Sequence, residues 1–115
     1  MPTLENNIKD LSADDKYEFL CRTEELLRLD HNKKGADYRA EKITQAEWRD
    51  FLKNDFEPKS RKVGHLRAVE QEKKAVVLFG KAGNLSDEQQ KELGELKTQK
   101  KLSARFDSQI NLSTI

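Results

Sequence analysis

The stretch Ser60–Phe79, SRKVGHLRAVEQEKKAVVLF, decides the fold. Read at a period of 3.6, it is a helix with Val63, Leu66, Val69, Val76 and Val77 clustered on one side of the wheel. Read from its end, Ala75–Phe79 is a run of branched and apolar residues that suits a short strand. We take the helix over 60–79 and keep the strand over 75–79 as its rival. Gly80-Lys81-Ala82-Gly83-Asn84 is a loop on either reading.

Outward from this stretch, three helix starts use one device. Ser12 precedes Asp15, Thr44 precedes Glu47 and Ser86 precedes Gln89, each by three residues. The hydroxyl can accept the backbone N–H three residues on, and Glu47 or Gln89 can reach back to the capping N–H. Leu11, Ile43 and Leu85 precede the caps, and Ile43 can clasp Trp48 as a staple. The first helix is expected over 13–30, broken by Asp30–Gly35, with a short helix at 36–42. Tyr17, Leu20, Cys21 and Leu27 line one of its faces, and Phe19, Thr23 and Leu26 the opposite one. Two apolar stripes predict a helix sandwiched between layers, or one that also meets a second chain. The next helix, about 45–56, carries Trp48, Leu52 and Phe56 and should end at Pro58. The third capped helix carries Leu93 and Leu96 and should end near 100–105. Beyond it, Leu102, Ala104, Phe106, Ile110 and Leu112 alternate with polar residues, the period of an extended segment seeking a sheet edge or groove.

The expected architecture is therefore mainly α: a small bundle of helical hairpins over 1–100 with a partly extended docking tail at 101–115. Composition is consistent with this. Charged residues make up 37% of the 115, and apolar ones only 35%, a pattern that leans towards disorder. Net charge is only +1, however, and Leu, Ile, Val and Phe still number 27 with few Gly or Pro. A thin core under a charged surface follows, one that would benefit from a partner. The charge is unevenly placed: −4 over residues 1–30, +3 over 53–74 and +3 over 97–115. No apolar run is long enough for a membrane span and no signal peptide opens the chain, so a cytoplasmic location is expected.

Catalytic chemistry finds no foothold. Gly80-Lys81-Ala82-Gly83 lacks the first glycine and the Ser/Thr of a phosphate-binding loop. His31 and His65 are too far apart for paired metal ligation, and both read as solvated or capping. Cys21 has apolar and acidic neighbours rather than an activating base. Asp14-Asp15 and Glu24-Glu25 are adjacent pairs, which do not face each other on a helix. No enzyme, metal, cofactor or small-molecule substrate is expected.

The first functional expectation is a small non-enzymatic interaction protein, an assembly component, adaptor or inhibitor of the kind common among bacterial and bacteriophage proteins. It would contact a partner or a second copy through Phe19, Leu26, Phe106, Ile110, Leu112 and Ile115. The final Ser113-Thr114-Ile115 also fits the C-terminus captured by strand-addition domains, a loosely defined pattern. The alternative is a nucleic-acid-binding accessory protein. Its basic patches at 59–67 and 97–105 would offer Arg61, Lys62, Arg67, Lys97, Lys101 and Arg105 to phosphates. Against it stands a pI of about 7.8, far below that of a dedicated nucleic-acid domain.

Overall fold

A computed structural model describes residues 3–115, and among them no strand forms. Five α-helices follow in order: α1 (Leu4–Ile8), α2 (Ala13–Arg39), α3 (Gln45–Asp50), α4 (Glu57–Phe79) and α5 (Asp87–Leu102). A π-helical segment, Phe51–Phe56, joins α3 to α4, and 3-10 turns at Asp107–Gln109 and Leu112–Thr114 close the chain. The molecule is a small helical bundle. The rival strand over 75–79 does not exist, since α4 runs through it and stops at Gly80. Gly80 adopts φ 75°, a left-handed cap that glycine takes without steric cost.

The three caps form as their spacing dictates. Ser12, Thr44 and Ser86 accept from the backbone N–H of Asp15, Glu47 and Gln89 at 3.2, 3.1 and 3.2 Å. Glu47 and Gln89 accept in return from the N–H of Thr44 and Ser86 at 3.1 and 2.9 Å. α4 ends at Phe79 and α5 at Leu102, as expected, while the ends read at Asp30–Gly35 and at Pro58 do not form. The first helix does not break at Asp30–Gly35 but continues to Arg39, absorbing the short helix expected at 36–42. Tertiary packing outweighs the polar run: the Trp48 indole lies over Gly35, where an added Cβ would sit 3.4 Å from the ring. His31 is half-buried rather than fully solvated; its ring packs against Trp48 and Phe56, with centroids 5.4 and 4.6 Å away. The helix ends at Glu41, which holds φ 60°, while the N–H of Lys42 reaches back to the carbonyl of Asp37. This is a Schellman arrangement with a glutamate where glycine is usual.

Pro58 also fails to end its helix. It occupies the first turn of α4, preceded by the π turn. A proline ring clashes with the carbonyl four residues back and offers no N–H. Widening the preceding turn to the π register moves that carbonyl aside, so helix continues from Gln45 to Phe79.

α2 is the central element. From Tyr17 to Thr23 every residue except Arg22 is buried, which explains the two apolar stripes: α4 and α5 both pack on α2. α2 and α4 are antiparallel, since Asp14 pairs with Lys74, Glu24 with Arg67, and His31 meets Phe56. The core joins Leu4 and Ile8 of α1, Phe19, Leu20 and Leu27 of α2, Val63 of α4 and Phe106 of the tail. The stripe read on α4 splits: Val63 and Leu66 face this core, whereas Val69, Val76 and Val77 face out.

Candidate interaction surfaces

The residues expected to meet a second chain meet each other. Phe106 is buried with its ring 5.5 Å from that of Phe19, and Ile110, Leu112 and Ile115 pack on the same cluster. Leu26 is half-buried. The tail forms 3-10 turns rather than a strand, so the alternation read there does not produce a sheet edge. Its apolar residues lie on their own chain.

Polar anchors hold the tail at its root. Arg22 donates Nε and Nη2 to the two carboxylate oxygens of Asp107 at 2.8 and 2.9 Å, and Nη1 to the Lys101 carbonyl at 2.7 Å. This forked geometry is the strong form of an arginine–carboxylate pair. Arg22 holds the Asp107 carboxyl below its usual value. Glu18 is buried and accepts from Arg105 Nε at 2.9 Å, Lys100 Nζ at 3.1 Å and Ser103 Oγ at 3.1 Å. Burial alone would raise the Glu18 carboxyl, but these three donors outweigh it and hold it low. Arg105 also pairs with Asp15 and lies 4.5 Å over the Phe106 ring.

Four of the six cations considered for nucleic acid are held in ion pairs within the chain. Lys62 pairs with Glu5 at 3.0 Å, Arg67 with Glu24 at 2.5 Å, Arg105 with Asp15 and Glu18, and Arg61 with Glu57 at 3.5 Å. Lys97 and Lys101 make no side-chain ion pair among the described residues. Sequence density located the basic residues, but apart from Glu57, one turn before Arg61, their carboxylate partners lie from 43 to 90 positions away and were not readable locally.

Reactive groups are buried. Cys21 lies in the core and burial pushes its thiol up to about 11. The Tyr17 hydroxyl has no hydrogen-bond partner, and burial raises it further. Among the described residues no three His, Cys, Asp or Glu side chains converge as metal ligands, and no helix is long and apolar enough to cross a membrane.

The most exposed aliphatic side chains lie at the C-terminal ends of α4 and of α5, with Leu29 and Val69 exposed elsewhere. Val76, Val77 and Leu78 are 51, 80 and 47% exposed, and Leu102 is 74% exposed. Leu78 opens into a groove of about 280 Å³ between α4 and α5, lined also by Glu92, Glu95, Leu96 and Gln99. A second depression of about 480 Å³ lies at the hairpin tip, bounded by Lys34, Ile43, Phe51 and Asp55. The sequence reading missed the α4 surface because it assigned Val76 and Val77 to the core. Val76, seven residues after Val69, shares its row, but Val77 falls nearer the Val63–Leu66 face, so its exposure had no sequence signal. No family model matches the chain, and no curated protein or solved structure matches it.

Proposed function

We propose that this chain is a small non-enzymatic helical interaction protein, an assembly component, adaptor or inhibitor, that works in the cytoplasm by contact with another protein or with itself. The observation that carries this reading is the run Val76-Val77-Leu78 with Leu102, left in water by a chain whose apolar residues are scarce. Scattered exposed aliphatics are normal, but three consecutive ones at the end of one helix are a contact surface. The burial of the tail on its own chain moves the working surface from Phe106 and its neighbours to α4 and α5.

Solution mass at several salt concentrations, with and without added DNA, is the first test. A photo-crosslinking residue in place of Val77, exposed to an extract of the source cells, is the second. A mass above 13.3 kDa, or a discrete adduct at position 77 missing when the crosslinker stands at the exposed Asp10, supports the reading. A strictly monomeric chain that gives no such adduct overturns it. A salt-sensitive complex with DNA, lost on reversing Lys97 and Lys101, would favour phosphate recognition instead.

A further inference from the structure

We infer that the groove between α4 and α5 is a docking site for a cationic amphipathic helix of a partner protein. The inference rests on the contact reading above and names the chemistry of the partner. Leu78 and Leu96 form the floor, and among the described residues the charged groups lining it are Glu92 and Glu95. Among the described residues neither glutamate makes an ion pair, whereas most carboxylates of α1, α2 and α4 do. Glu88 and Glu92 stand at i and i+4 and Glu95 follows at i+7, with Lys91 interleaved at i+3, so the row beside the apolar floor carries three carboxylates and one ammonium. Leu102, seven positions after Glu95, extends that row with a largely exposed aliphatic side chain.

An amphipathic helix in a groove offers anchors at i, i+3, i+4 and i+7. Such a helix would set aliphatic side chains on Leu78, Leu96 and Leu102 and bring Lys or Arg against Glu92 and Glu95. An acidic or neutral helix would leave these carboxylates facing like charge or partly desolvated, which gives the groove a preference of sign. Lys91 and Lys97 line only the shallower depression that continues over Gly94. Glu95 lines that depression as well, so Glu92 is the charge that belongs to the groove alone.

The test uses two fluorescent 14-residue helical peptides, one of Leu and Lys and one of Leu and Glu, titrated with the full chain at low and at moderate salt. The Leu/Lys peptide is expected to bind at least about 10-fold tighter than the Leu/Glu peptide. Glu92→Lys with Glu95→Lys should abolish or invert that preference. Asp10→Lys with Glu72→Lys, the same change of net charge elsewhere on the surface, should retain most of it. Leu96→Asp should weaken the Leu/Lys peptide about 10-fold with an unchanged helical spectrum. Equal losses in the two charge-reversed chains, or no preference in the original one, overturn the inference. A dimer of the chain alone that is broken by the Glu92/Glu95 reversal also overturns it, because the occupant is then a second copy. If the peptide preference fails while the Val77 adduct persists, the groove assignment falls and the broader contact reading stands.

Discussion

Phe106→Ala tests whether the tail belongs to the core. Phe106 is 7% exposed and is the one buried residue of the segment after α5. Truncating a buried Phe to Ala costs ~3–5 kcal/mol, including the cavity left behind. Here the site lies where the chain can relax, and the lost contacts include the tilted Phe19 ring and the overlying Arg105. The expected loss is therefore near the lower end, about 3 kcal/mol. That loss should appear first as detachment of the tail, because α2, α4 and α5 keep their own packing. Hydrogen exchange reads it directly. The amides of Asp107, Gln109, Ile110 and Thr114, bonded to carbonyls within the tail, should exchange ~100-fold faster, in proportion to that free energy. Amides of α2 between Tyr17 and Thr23 should change far less. Leu102→Ala, at an exposed neighbour, should shift stability by no more than about 0.5 kcal/mol. If Phe106→Ala raises tail exchange less than about 10-fold, the tail is held by something other than this packing.

Glu18→Gln removes the charge that meets Arg105 and Lys100, and should cost about 1–3 kcal/mol in urea melts, discounted because Arg105 is itself half-exposed. The same anchors set a pH dependence. The Glu18 and Asp107 carboxyls lie below their ordinary values of 4.5 and 3.8 in the folded chain. Their contribution is complete above those values and is lost as pH falls through the lowered folded ones. An acid melt should show the tail amides opening first, and Glu18→Gln should flatten that limb. Glu41→Gly relieves a left-handed non-glycine residue in the Schellman turn and should stabilise by about 0.5–1 kcal/mol, since glycine's greater unfolded entropy offsets part of the gain. A loss of stability in thermal melts would contradict this geometry. Cys21 should resist a thiol reagent at pH 8 until the chain unfolds, because it is buried and its thiol is pushed up to about 11. Rapid labelling of the native chain would contradict its burial.

Local chemistry was legible in the sequence and non-local packing was not. Ser12, Thr44 and Ser86 bond within three residues, so their spacing revealed three helix starts. The two stripes of α2 were legible for the same reason, as a period within one segment. The length of α2 was not, because Asp30–Gly35 stays helical under Trp48 and Phe56, which arrive from beyond the hairpin turn. Pro58 read as a stop because the π turn that accommodates it leaves no residue signature. For the candidate sites, the apolar content of the tail was visible and its destination on Phe19 was not. Val76 and Val77 have the residue type of a core but sit beyond the reach of α2, and composition carries no information about that.

The charge distribution explains how so thin a core keeps a single arrangement. Apart from Arg22 with Asp107, the inter-element ion pairs among the described residues join the acidic opening of the chain to its basic later segments. Glu5 meets Lys62, Asp14 meets Lys74, Glu24 meets Arg67, and Asp15 and Glu18 meet Lys100 and Arg105. Each such pair contributes little by itself at a wet surface. Sliding α4 by a turn along α2 would separate these pairs and bring like charges together, which penalises alternative registers more than it stabilises the native one. The −4 and +3 segments thus act as an internal assembly code, and this alters how the remaining charge is read. A cation in such a pair is poorly placed to bind phosphate, since it must first leave its carboxylate. Glu88, Glu92 and Glu95 have no role in that internal pairing, and they lie on α5, the element that also carries Leu96 and Leu102. Recognition of another molecule is therefore best sought on α5, where unpaired charge and incompletely buried apolar surface coincide.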